Sequence, residues 1–214
     1  MQQSFSGAEG TPIVNDLVDV IVANRDYLSE VDGAIGDGDH GINMAKGFSR
    51  CGKAMAGRQL TLAEALDELT LALMEGIGGS MGPLYGSLFI GMADQVRGKA
   101  EIDADTFARL LRGGLASIQD ISEASVGDKC LMDALIPAVE TFEDAVTQGA
   151  SFHDALEAMK RAASQGRDST RDLVARIGRA SRLGERSLGA LDAGAVSCCL
   201  ILTRLADSVE ARLH

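Results

Sequence analysis

Apolar side chains recur at three- and four-residue spacing along almost the whole chain, and clusters of glycine break one run from the next. That period commits the chain to helices, because a half-buried strand would need alternation at period two. Thr11-Pro12 supplies a helix cap with proline at the first helical position, and Ile13, Val14, Leu17, Val18, Ile21 and Leu28 follow at helical spacing. A second helix is expected from Ile42 towards Met55. Thr61 with Glu64 makes a capping box ahead of Leu62, Leu66, Leu69 and Leu73. A fourth helix starts near Pro83 with Leu84, Leu88, Phe89 and Met92. Asp103 or Asp105 caps a fifth, carrying Phe107, Leu110, Leu111, Leu115 and Ile118. A sixth covers Leu131 to Val146. Ser151 and Asp154 open a seventh that continues past Gly166 towards Ile177, and the last spans Asp192 to Leu213. These are eight helices with no convincing strand, so the expectation is one all-α domain, a bundle or closed ring, over residues 11–214 after a flexible tail at 1–10.

Charge narrows the function. Lys and Arg number 20 against 31 Asp and Glu, a net charge of −11, whereas nucleic-acid binding needs a dense basic face. An acidic protein still binds an anion when bound cations neutralise both sides locally. The longest apolar stretches, such as Ala195–Leu202, are too short to cross a bilayer. The opening residues are polar and glycine-rich, with no basic start or apolar block, which speaks for the cytoplasm and against a secretory signal. Cys51, Cys130, Cys198 and Cys199 lack the spacing of a zinc or redox motif and are read as reduced packing residues.

Twenty-five glycines are many for helices, where each interior one costs about 1 kcal/mol relative to alanine. They gather between the helices, as where backbone must approach a ligand. The first cluster reads Asp32-Gly-Ala-Ile-Gly-Asp37-Gly-Asp39-His40-Gly41. A single Asp-Gly pair would be a solvated turn. Three aspartates spaced by glycine can converge, and an oxygen-only set suits hard Mg²⁺, which takes its remaining ligands from water and phosphates. It lacks the later glutamate of a calcium EF-hand. The second cluster, Gly78-Gly79-Ser80-Met81-Gly82-Pro83, opens a helix, where exposed N–H groups attract an anion or simply make a tight turn. It is not a P-loop, since no Lys-Ser or Lys-Thr pair follows. In the third, Gly178-Arg179-Ala180-Ser181-Arg182-Leu183-Gly184-Glu185-Arg186-Ser187 precedes Asp192-Ala193-Gly194; arginine is a fork for phosphate oxygens, though Arg182 and Arg186 read as solvated. Gly127-Asp128-Lys129 alone marks little more than a helix boundary.

Together these segments, with Gly-Gly-x-x-Gly-Pro-Leu-Tyr-Gly over 78–86, resemble the L subunit family of dihydroxyacetone kinase (DhaL) from about Pro12 to the end. The resemblance implies a ring of eight antiparallel helices with ADP or ATP and two Mg²⁺ ions at one rim. It implies that Asp32, Asp37 and Asp39 hold the metal, and that His40, Gly41, Ile42, Asn43, Ser80, Met81, Cys130, Leu131, Arg179, Asp192, Ala193 and Gly194 contact the nucleotide. The family carries Asp-Pro-Gly where this chain has Ala193. The implied role is a kinase subunit that serves a short ketose held by a separate sugar-binding K subunit, with ATP or a phosphohistidine protein of the sugar phosphotransferase system as donor. No nucleic acid and no membrane is expected among its partners. The rival is an interaction protein whose nucleotide-loaded state signals to a regulator.

Overall fold

The computed structural model describes residues 3–214. Among them are nine α-helices: α1 (Gly10–Ala23), α2 (Arg25–Gly33), α3 (His40–Met55), α4 (Leu62–Gly76), α5 (Met81–Val96), α6 (Ala104–Gln119), α7 (Met132–Thr147), α8 (Phe152–Ser169) and α9 (Ala193–Glu210). The ninth arises because the first expected helix is two. At Asn24 the backbone leaves helical geometry (φ −98°, ψ 13°), and the Asn24 side-chain amide donates to the Val20 carbonyl at 2.8 Å, a local bond that competes with the helical ladder. From α3 onward each helix packs on the next in sequence, and α9 packs on α1, which closes the circuit.

The caps follow the side-chain chemistry. Thr61 and Glu64 form the full capping box of α4, Asp103 rather than Asp105 caps α6, Ser151 caps α8, and Asp192 caps α9. Thr11 does not cap α1, which starts at Gly10. Its hydroxyl instead donates to the Arg58 carbonyl and accepts from the Leu60 N–H, tying α1 to the α3–α4 connection. Helix α8 passes Gly166 but stops at Ser169, short of Ile177, followed by a 3₁₀ turn at Thr170–Asp172. Pro137 inside α7 has no N–H to give Asp133, so that carbonyl is left outside the helical ladder. Helix α8 comes against this carbonyl at Gly166, where a Cβ would lie 1.9 Å from the Asp133 oxygen.

The expected flexible tail is corrected over its described part. Ser4–Ser6 forms strand β1, antiparallel to β2 (Glu101–Asp103), with Phe5 opposite Ile102 and both fully buried. Phe5 joins Phe107, Phe142 and Phe152 in an aromatic cluster with ring centroids 5.2–6.4 Å apart. Two three-residue strands are too short for period-two alternation to declare itself in sequence. Across the seam between first and last helix, Asp16 accepts from Arg204, Ser208 and Arg212. Among the described residues, no helix is long and apolar enough to cross a membrane.

Candidate metal and nucleotide site

Four connections meet around one cavity of about 780 Å³: α2 to α3, α4 to α5, α6 to α7, and the long run from Leu173 to Asp192 that precedes α9. They are every second connection of the bundle, so helices running alternately up and down deliver them to one end. Of the connections in between, α5 to α6 carries strand β2, and Phe152 of the aromatic cluster follows α7 to α8. The cavity falls in the size range of small-molecule sites.

At its mouth Asp32, Asp37 and Asp39 each place a carboxylate oxygen within 4.8 Å of the others. Asp32 lies in the last turn of α2, where its carbonyl accepts from Ile35 and Gly36 and so folds the loop back on itself. Asp39 occupies the N-cap position of α3, yet among the described residues its side chain makes no capping bond, so the carboxylate stays available. Arg179 reaches across and pairs with Asp37, with Asp39 at 3.9 Å. Three clustered carboxylates against one guanidinium leave an acidic surplus of oxygen donors, a set that suits Mg²⁺. Beside them the first residues of α3 and α5, His40 and Met81, line the cavity; the His40 N–H donates to Asp32 Oδ2 at 3.4 Å, and the Ser80 hydroxyl, at the N-cap of α5, makes no capping bond among the described residues.

The wall behind is a hydrogen-bonded chain. His40 Nε2 pairs with Ser197 Oγ at 2.9 Å, Tyr85 OH pairs with the same oxygen at 2.6 Å, and Tyr85 OH donates to the Gly194 carbonyl at 3.2 Å. This chain joins the starts of α3, α5 and α9. Burial pulls the His40 imidazole down to about 4 against the opposing pull of Asp32, so it is neutral near pH 7. Burial pushes the Cys130 thiol up to about 12, which makes it a packing group of the cavity wall and not a nucleophile. All four cysteines are free.

Of the residues expected here, Asp32, Asp37, Asp39, His40, Asn43, Ser80, Met81, Cys130, Leu131, Arg179, Asp192, Ala193 and Gly194 line the cavity. Gly41 and Ile42 do not. His40 and Asn43 share a face of α3 at i, i+3, which turns the two residues between them elsewhere. Ile42 is exposed, and Gly41 lies against α2, where a Cβ would sit 1.9 Å from the Arg25 carbonyl. Ala193, where the family has proline, is the first residue of α9, and the Asp192 cap to Ala195 N–H at 2.7 Å holds that turn without it. Sequence reasoning missed Tyr85, Ile121, Ile177 and Lys129 in the lining. Tyr85 and Lys129 both stood in quoted motifs, but neither was assigned a role.

Fold and site thus define an all-α protein with a carboxylate-and-arginine mouth suited to a metal-bound polyanion. The chain belongs to the DAK2 domain family, whose model matches residues 34–207. It is 36% identical over 208 residues to the "PEP-dependent dihydroxyacetone kinase 2, ADP-binding subunit DhaL" of Listeria innocua, covering 92% of this chain and 93% of that one. It is 38% identical over 190 residues to the "PTS-dependent dihydroxyacetone kinase, ADP-binding subunit DhaL" of Lactococcus lactis, covering 88% and 91%. In fold it is similar to the dihydroxyacetone kinase of C. freundii solved with AMP-PNP and Mg²⁺, with a TM-score of 0.71 at 24% identity, over 97% of this chain and 35% of that one.

Proposed function

We propose that the chain is the Mg²⁺- and adenine-nucleotide-binding subunit of a kinase for a short ketose such as dihydroxyacetone, and that a separate sugar-binding K subunit holds the acceptor. The observation that carries this reading is the convergence of Asp32, Asp37 and Asp39 at the mouth of a cavity closed on one side by Arg179. Two Mg²⁺ ions held by these carboxylates would bridge to the phosphates and neutralise the charge that builds during transfer. The residues of the chain then position. Arg179 leaves its carboxylate partners to fork a phosphate, and the open N–H groups at Ser80 and Met81 face the anion. The His40–Ser197–Tyr85 chain keeps the wall rigid, and Leu131 with Ile121 and Ile177 offers apolar contact to the base.

The "ADP-binding" and "PTS-dependent" names of the relatives favour a scheme in which ADP stays bound and is rephosphorylated by a phosphohistidine protein of the phosphotransferase system. The same reading puts the work in the cytoplasm, and four free cysteines suit a reducing compartment. The test is reconstitution: this chain, K subunits from the same genome, and dihydroxyacetone, supplied with ATP or with the phosphohistidine donor. Sugar phosphate that forms only when this chain is present bears the proposal out. Absence of transfer with every K subunit and both donors contradicts it. Retention of ADP through extensive dialysis separates the two donor schemes, since a freely exchanging nucleotide would be lost.

A further inference from the structure

Lys129 is 2% exposed, and it is the one non-glycine residue with positive φ (63°) among the described residues. A lysine held in that conformation and out of water is costly on both counts, so the surroundings must return the cost. They do so with carbonyl oxygens. The Lys129 ammonium donates to Thr170 at 2.6 Å, Ala190 at 2.7 Å, Ser187 at 2.8 Å and Leu173 at 3.2 Å. Three N–H groups serve four acceptors, a shell of backbone dipoles in place of water. The four carbonyls belong to the two ends of a single loop: Thr170 and Leu173 stand at its start, and Ser187 and Ala190 at its finish.

Between those ends lies Arg179, which meets Asp37 and Asp39, and directly after them Asp192 opens α9. Other bonds converge on the same closure. Asp128 carbonyl accepts from Arg176 N–H at 3.1 Å, Gly189 N–H donates to the Arg171 carbonyl at 2.8 Å, and Ser187 Oγ accepts from Ala175 N–H at 2.9 Å. Lys129 is also one of the residues lining the cavity, while its ammonium is taken up by the loop carbonyls.

We propose that Lys129 is a positioning residue of the nucleotide site, a buried ammonium that clasps both feet of the 173–190 loop and thereby holds Arg179 over the metal-binding carboxylates. The proposal rests on the function proposed above for its consequence in nucleotide binding, and on geometry alone for the clasp. The two parts are tested separately. In nucleotide-free protein, amide hydrogen exchange is compared between the unaltered chain and Lys129→Met. The Ala175, Arg176 and Gly189 amides are expected to exchange at least about tenfold faster, while those of α5 and α6 keep their protection. Lys129→Gly is the second variant, because glycine suits the positive φ and relieves the backbone even as the clasp is lost. Added n-butylammonium, which replaces the missing stem and charge, is expected to restore loop protection in that variant, whereas n-butanol is not. Unchanged exchange in both variants, or butanol acting as well as butylammonium, would overturn the clasp.

For the consequence, Mg²⁺-ADP affinity is measured in Lys129→Met, Arg179→Ala and the double variant. Each single change is expected to weaken binding about tenfold or more, and the double change no further than the worse single, because the lysine acts through the arginine. Losses that multiply would overturn the positioning role. If the unaltered chain itself takes up no ADP, the proposed function fails and the exchange experiment alone decides the clasp.

Discussion

Asp37 and Asp39 stabilise neither of the helices they border. Asp37 is exposed in the α2–α3 loop, and Asp39 stands at an N-cap without capping; the side chain both meet is Arg179, which belongs to neither helix. Asp37→Asn is therefore expected to weaken Mg²⁺-dependent binding of a fluorescent ADP analogue by about 100-fold or more, with the melting temperature of the ligand-free protein nearly unchanged. Asp192 behaves differently. Burial, with Asp133 nearby, raises its carboxyl from 3.8 to about 6 despite the bond from Ala195 N–H. A carboxyl whose pKa is higher folded than unfolded favours the native state below pH 3.8, and that contribution is lost as pH climbs through 6. Asp192→Asn keeps an oxygen for the cap without the charge. In denaturant titrations of the ligand-free protein it is expected to gain on the unaltered chain as pH rises from 4 to 7, by at most about 3 kcal/mol. An unchanged difference between the two pH values would contradict this. Residues of this kind were legible in part. The aspartates and Arg179 announced themselves by type and spacing. Lys129 did not, because its partners are backbone carbonyls some 41 to 61 residues away, which carry no residue signature.

Helices were legible wherever a cap and a periodic face coincided, as at Thr61, Asp103, Ser151 and Asp192. They were misread where one side chain did something non-local, as Thr11 does with Arg58 and Leu60, or where a local bond cut a continuous period, as at Asn24. Gly41 was legible as important but not as a packing residue. Because its Cβ would meet α2 backbone, Gly41→Ala is expected to push α3 off α2 at a cost of about 1–3 kcal/mol. The same shift moves Asp39 away from Asp32, so Mg²⁺-ADP affinity should fall along with the melting temperature, read in one pair of experiments. Ser151→Ala is the contrast. It removes a cap at the far end of the bundle at a cost of about 1 kcal/mol, and nucleotide affinity should not follow. If Gly41→Ala lowered only stability, the link from helix spacing to site would be wrong.

At the scale of the whole molecule, alternation turns a linear string of helices into two unlike ends. Every second connection converges on the cavity, three of the four carrying several glycines, and the end opposite is closed by Phe5, the short sheet and the aromatic cluster. Under the proposed function, that division would give a chain of net charge −11 one place for a polyanion, because metal held by the three carboxylates would invert the local sign. The most direct measurement is calorimetric titration of the intact chain with ADP, in Mg²⁺ and then in excess chelator. Uptake near one ADP per chain in Mg²⁺, abolished by chelator, is the predicted result; equal uptake in both, or none in either, would contradict the account.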